Sequence, residues 1–202
     1  MSKHMPLAYT ADQALARLVA GNKRFVRGEA RFPTVQKEVL AALAKSQKPY
    51  ATILGCSDSR VPPELIFDAG FGELFIIRLA GNVVSAEVMG TLQYAGVHLQ
   101  TPLFVVLGHE GCGAVNAALA ARTGPREQTR IALLLDNILP GLRDLPELAP
   151  DEQARAAVEA NVRWSMRQLL DTPEAKARIV EGTMRLVGAV YELDSGRVRF
   201  LT

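Results

Sequence analysis

The residues best equipped to do chemistry in this chain are its two cysteines, Cys56 and Cys112, together with the groups beside them. Cys112 lies in Gly108-His109-Glu110-Gly111-Cys112-Gly113, a glycine-rich stretch with a histidine and a cysteine three positions apart. Glycines let the backbone turn tightly enough to aim an imidazole and a thiol at one ion. A helical pattern follows directly, which puts Cys112 at or near a helix N-terminus, where amides and dipole favour thiolate over thiol. Cys56 opens Cys56-Ser57-Asp58-Ser59-Arg60-Val61-Pro62. In extended backbone, Cys56, Asp58 and Arg60 project to the same side. Each signal alone has an ordinary reading. H-x-x-C also describes a turn histidine beside a buried cysteine, and Asp58 with Arg60 also describes a structural ion pair. The two cysteines could form a disulfide or remain buried free thiols. A reducing compartment argues against the disulfide.

Combined, the residues make a sharper pattern. Two thiolates and one imidazole, with an open or carboxylate-filled fourth position, form the two-cysteine, one-histidine set of catalytic zinc. No C-x-x-C pair is present to close a structural site, and iron–sulfur clusters typically need four cysteines. Zinc at an unclosed site lowers the pKa of its water to about 7. Two anionic thiolates weaken that effect, so an outer device is required, and Asp58 hydrogen-bonded to Arg60 is the candidate.

These residues need a scaffold that brings distant segments together. Four short apolar runs, Tyr50–Gly55, Leu74–Leu79, Leu103–Gly108 and Met184–Tyr191, are apolar on both faces and suit central parallel strands. Helical spacing appears over residues 11–27, with Gly28 as a stop, and over Val35–Ala44, Ser85–Leu99, Ala114–Arg122, Thr129–Ile138 and Asp151–Leu170. Val198–Leu201, after the Asp194-Ser195-Gly196 turn, reads as an edge strand. The alternation predicts an α/β fold with a central, mainly parallel sheet of four strands plus an edge strand and helices on both faces. We read residues 1–202 as one domain, with 1–48 as an N-terminal helical arm. Ligands of such sheets gather at the carboxyl ends of the strands. Cys56 directly follows the first strand, and His109 and Cys112 directly follow the third.

Composition excludes several function classes. The 202 residues are 49% hydrophobic and 22% charged, enough apolar material for a sizeable core and too little charge for disorder. A net charge of +2 without a long basic run gives no footprint for nucleic acid or an anionic membrane. No stretch reaches the roughly 18 unbroken apolar residues of a membrane span. The opening MSKHMPLAYTADQ lacks the apolar core of a signal peptide, so a cytoplasmic location is the expectation, although a leader could have been removed ahead of Met5.

Cys56-Ser-Asp-Ser-Arg-Val-Pro62 and His109-Glu-Gly-Cys-Gly113 resemble the two zinc motifs of the β-class carbonic anhydrases, and Ala80-Gly-Asn82 between them also fits. The stretch from Ala14-Leu15 to Gly21-Asn-Lys-Arg-Phe25 is similar to the arm of bacterial members. The resemblance is dense from about residue 10 to 120 and thins beyond. It implies one zinc ion per chain held by Cys56, His109 and Cys112, with Asp58 either the fourth ligand of a resting form or the acceptor of a proton from zinc-bound water. Arg60 would hold Asp58 and draw it away from zinc in the active form, with acid favouring the ligated, inactive state. The implied reaction is reversible hydration of CO2 to bicarbonate and a proton by zinc-bound hydroxide. Gln47 matches the family's substrate-binding amide, Phe75 and Tyr94 its pocket-lining positions, and the Gly113 backbone N–H a bicarbonate contact. Read without the family, Phe75 and Tyr94 are ordinary core aromatics. Because pocket residues in this family are shared across a dimer, the resemblance implies a homodimer or tetramer whose 11–44 arm wraps its partner. One departure separates subgroups. Members with a non-catalytic bicarbonate site carry a tryptophan three residues before the first zinc cysteine, and here that position is Ile53. Arg78 fits that site's arginine, yet without the tryptophan the regulation is not expected. Hydrolysis of CS2 or COS on the same fold is the nearest alternative, and a non-catalytic zinc module is a second. A dinucleotide-dependent dehydrogenase lacks its glycine fingerprint.

Overall fold

Strands apolar on both faces need covering on both, and the computed structural model, which describes residues 9–31, 37–125 and 127–201, covers them so. Among these residues five strands form one sheet: β1 (Ala51–Gly55), β2 (Leu74–Arg78), β3 (Leu103–His109), β4 (Arg185–Tyr191) and β5 (Val198–Leu201), in the order β2-β1-β3-β4-β5. The first four run parallel, and β5 joins β4 antiparallel through a hairpin that turns at Gly196, φ 70°. Every residue of β1 and β3 is buried. Between them lies a topological switch: the chain leaves β1 toward β2 on one side and leaves β3 toward β4 on the other. The crevice so opened lies at the carboxyl ends of these strands, where open α/β sheets place their ligands. Register pairs Gly55 with Leu107, so Cys56 comes out of the sheet close to His109.

Among the described residues, eight α-helices surround the sheet: α1 (Ala11–Val26), α2 (Lys37–Leu43), α3 (Pro63–Ile66), α4 (Ala86–Tyr94), α5 (Gly113–Ala121), α6 (Ile131–Ile138), α7 (Pro150–Leu170) and α8 (Pro173–Val180). Alternation along β3 sends Phe104 and Val106 to one face, joined by residues of α4 to α8, and Leu103, Val105 and Leu107 to the other, joined by α1 and α3. Helix α1 begins at a capping box in which Thr10 and Gln13 exchange side-chain and backbone hydrogen bonds. It stops at Gly28, φ 69°, as its spacing predicts. Its apolar stripe, Ala14 and Leu18, is buried against its own sheet with Ile53 and Leu103. This part of the arm is therefore integral to its own domain, whereas α2 leaves Val39 and Leu40 exposed. Of the helix expected over Val35–Ala44, the first two residues lie outside the described residues.

The structure differs from the sequence reading at several elements. The helix expected over Ser85–Leu99 is divided: after α4, residues Ala95–Leu99 form a wider π turn that ends at left-handed Gln100, φ 53°. Helices α3, a single turn, and α8 were not foreseen. Helix α8 does carry a signal, since Thr172 caps it and Pro173 occupies its first turn. Among the described residues, no helix is long and apolar enough to cross a membrane.

The loop after α3 is tied to the arm by a buried carboxylate. Asp68, itself left-handed at φ 45°, accepts from Arg24 Nε at 2.5 Å, from Arg31 Nε at 3.1 Å and from the Arg31 amide at 2.8 Å. Burial pushes its carboxyl up, but the two arginines outweigh burial and hold it below the ordinary value. A carboxyl depressed in the folded state stabilises fully above the unfolded pKa of about 3.9 and loses that contribution as pH falls through the folded value. Asp68→Asn tolerates the left-handed backbone but removes the charge. It is expected to cost about 1–3 kcal/mol at pH 7, with the difference from the parent narrowing below about pH 4, as read by urea unfolding at both pH values.

Candidate metal centre

Strand β3 delivers His109 to the crevice, Gly111 turns the chain at φ 63°, and Cys112 forms the N-cap position of α5. Strand β1 delivers Cys56 from the neighbouring strand. All three side chains are buried, and their donor atoms lie within 4.8 Å of one another. The two Sγ atoms are 4.0 Å apart. Two sulfurs on a tetrahedral zinc, with bonds of about 2.3 Å, would be separated by about 3.8 Å. His109 Nδ1 is 2.9 Å from the Glu110 carbonyl oxygen, which accepts its proton and fixes the tautomer with the lone pair on Nε2. That Nε2 is buried and has no hydrogen-bond partner. A buried lone pair without a partner is costly, and a cation at the centre of these donors would satisfy it. The donor set and the orphaned nitrogen fit zinc.

The thiols are unequal. Cys56 Sγ accepts from the backbone amides of Asp58 at 3.4 Å and Gly81 at 3.3 Å. The hydrogen bond shared with Cys112 comes first in pushing the Cys56 thiol down, against burial, and the two amides add to it. Cys112 is pushed up, first by its bond to Cys56 and then by burial, against the first-turn amides of α5.

Asp58 stands beside this cluster rather than within it. Arg60 donates Nε to Oδ1 at 2.9 Å, Nη2 to Oδ2 at 2.7 Å and its backbone N–H to Oδ1 at 3.0 Å. These bonds come first in holding the carboxyl well below the usual carboxylate range, against burial. Oδ2 lies 3.8 Å from His109 Nε2, within reach of the same space. Arg78, which sequence comparison suggested only as part of a regulatory site, instead donates to the Cys56 carbonyl at 2.8 Å and the Asp58 carbonyl at 2.5 Å. It clamps the loop that carries both residues. The Gly81 amide at Cys56 was not singled out from sequence either, although a glycine just past a strand end was a visible cue.

The remaining predicted residues divide. Gly113 adjoins Cys112, and the space where a side chain would stand is open. Gln47 is exposed in the segment before β1. Phe75 is the second residue of β2, paired with Thr52, so it lies about 13 Å down the strands from Cys56. Its ring is 6.2 Å from that of Tyr94, which is itself 47% exposed. A single chain therefore does not bring Phe75 and Tyr94 to the metal donors. His98 is exposed beside Tyr94, with ring centroids 5.0 Å apart.

Comparison with known proteins gives one answer. Residues 51–198 match the family model described as carbonic anhydrase. The chain is 42% identical over 185 residues to "Carbonic anhydrase 2" of Mycobacterium tuberculosis, covering 89% of this chain and 87% of that protein. It is 37% identical over 180 residues to the carbonic anhydrase of Mycolicibacterium smegmatis, covering 88% and 87%. Among solved structures, a Coccomyxa β-carbonic anhydrase in complex with acetazolamide superposes with a TM-score of 0.75 at 28% identity, covering 93% of this chain and 86% of that one. Sequence family, relatives, fold and donor cluster agree, and the chain belongs to the β-class carbonic anhydrases.

Proposed function

We propose that this chain catalyses the reversible hydration of CO2 to bicarbonate and a proton, with one zinc ion per chain held by Cys56, His109 and Cys112. The observation that carries this reading is the buried three-donor cluster, with its unpartnered His109 Nε2, set beside an Asp58 carboxylate clamped by Arg60. Bound there, zinc supplies the Lewis acidity that lets water ionise near neutral pH. The protein groups supply orientation. Glu110's carbonyl oxygen fixes the imidazole, and the amides of Asp58 and Gly81 hold the Cys56 thiolate. Asp58, kept ionised by Arg60, would accept through Oδ2 a hydrogen bond from the reacting water once that water has released its first proton to solvent or buffer, which aims a lone pair at CO2. If freed from Arg60, the same oxygen is close enough to compete as a fourth ligand. The Gly113 N–H, at the first position of α5 where a helix leaves its amides without intrahelical partners, can donate to bicarbonate.

The rest of the pocket is best supplied by a second copy of the chain. Among the described residues, strand β2 is an unpaired sheet edge whose Leu74, Phe75 and Ile76 are only partly buried, and Tyr94, Gln47 and the Val39 and Leu40 of α2 are exposed. A homodimer that covers this edge would give Phe75, Tyr94 and Gln47 a partner's metal centre to line, and a tetramer would repeat it. A stopped-flow indicator assay tests the reading. CO2 hydration should disappear when zinc is stripped by a chelator and return when zinc is restored. Activity unaffected by metal removal, or turnover of CS2 with none of CO2, would overturn it.

A further inference from the structure

The turn Ala80–Asn82 that gives Cys56 its Gly81 hydrogen bond is an unfavourable piece of backbone. Gly81 and Asn82 are successive left-handed residues, φ 67° and φ 44°. A side chain at Gly81 would stand 2.7 Å from Ile138 Cδ1 and 3.1 Å from Ala114 Cβ. A non-glycine residue in this region is held only where its surroundings over-determine it. The surroundings here come from α7, some eighty residues later in the chain. Asn161 donates Nδ2 to the Gly81 carbonyl at 2.8 Å. Ser165 donates its hydroxyl to the Asn82 carbonyl at 3.1 Å, and accepts from Asn82 Nδ2 at 3.3 Å. Asn161 and Ser165 are four apart, on one face of the helix, and both are 1% exposed, as is Asn82. The neighbouring buried positions of α7 are Ala157, Val158, Val162 and Leu169, all apolar. Polar side chains in such a face must be satisfied, and each of these directs a hydrogen bond to the same turn.

We propose that Asn161 and Ser165 are positioning residues for the metal centre: they lock the Ala80–Asn82 turn so that the Gly81 N–H stays on the Cys56 thiolate. This rests on the zinc reading given above. An N–H donated to a ligating thiolate fixes the sulfur in place for the ion, which favours binding, and also draws charge from it, so less reaches the ion. Two anionic sulfurs would otherwise quench the acidity that hydration needs. Outer groups of this kind typically change metal affinity by about 10–100-fold.

The test uses the full-length enzyme and the variants Asn161→Leu, Ser165→Ala and Leu169→Ala, the last an apolar truncation on the same helix. Zinc affinity is measured by chelator competition, and the sulfur-to-metal charge-transfer band by absorption of the cobalt(II)-substituted protein. Asn161→Leu is expected to lose about 10–100-fold in zinc affinity and to shift the band. Ser165→Ala should move both in the same direction by less, and Leu169→Ala should lower thermal stability while leaving both unchanged. Reduced melting temperature with unaltered affinity and band in Asn161→Leu would overturn the proposal, as would an equal change in Leu169→Ala. If Asn161→Leu does not fold, Ser165→Ala decides: a shifted band supports the proposal and an unshifted one overturns it. Failure of the parent enzyme to bind zinc would instead contradict the zinc reading itself.

Discussion

Changing Cys112 to serine is expected to leave the fold standing and to empty the metal centre. Cys112 is the N-cap residue of α5, and serine is among the best residues for that position because its oxygen can accept from the first-turn amides. The substitution is nearly isosteric, so the buried site does not collapse. Its hydroxyl, however, does not ionise as a thiol does and makes a far poorer partner for zinc. A zinc site in a small protein is worth about 10–16 kcal/mol to its ligands, so losing one of three removes about 4 kcal/mol, roughly a thousandfold in affinity. Metal analysis should find Cys112→Ser essentially zinc-free after dialysis, with CO2 hydration at the uncatalysed rate. The metal-free parent and variant should unfold within about 1 kcal/mol of each other. A variant that retains zinc would remove Cys112 from the ligand set.

Arg60→Ala is expected to do the converse, keeping the zinc and losing most of the activity. Arg60 touches none of the three donors; its guanidinium grips Asp58 side-on, with one N–H to each oxygen. Removing it relieves the downward push on the Asp58 carboxyl. An ordinary carboxyl is still fully ionised at pH 8, so what is lost is orientation, not charge. A free Asp58 can swing toward the space beside His109 Nε2, only 3.8 Å away, and compete with water there. A fall of about 10²–10³ in kcat/KM is the scale of a lost orienting group in a preorganised site. Arg60→Lys should not restore it, because an ammonium cannot reproduce the two-pronged contact. Loss of zinc from Arg60→Ala would show that the arginine is mainly structural.

Where chemistry and periodicity were local, the sequence carried them. Strands β1 and β3 are unbroken apolar runs, and a glycine-rich turn beside a helix start is visible in Gly108–Gly113, so the convergence of Cys56, His109 and Cys112 could be read before any coordinates. The Asp58–Arg60 pairing was expected from a spacing of two in extended backbone; the structure makes it instead through a turn at Ser59 and Arg60, where the Arg60 amide itself donates to Asp58 Oδ1. What could not be read depends on distant segments. Arg78 lies within β2, and nothing nearby in sequence says that its guanidinium reaches back to the Cys56–Asp58 loop. The polar residues Asn161 and Ser165 interrupt an otherwise apolar helix face, which looks like noise until the turn opposite them is seen. The short α3 has too few residues for a period, and the π turn at Ala95–Leu99 reflects tertiary accommodation. Phe75 and Tyr94 illustrate the opposite case. Their family roles were named from the sequence, yet in one chain they stand apart from the donors, so their part in the site depends on the proposed second copy.

Everything proposed for the site requires that Cys56, His109 and Cys112 hold one zinc ion. Zinc K-edge X-ray absorption on the purified enzyme, with metal content determined on the same sample, tests it most directly. The expected result is one zinc per chain with two sulfur neighbours at about 2.3 Å and one imidazole nitrogen at about 2.0–2.1 Å. A coordination shell of nitrogen and oxygen only, or folded enzyme that takes up no stoichiometric zinc, would contradict it.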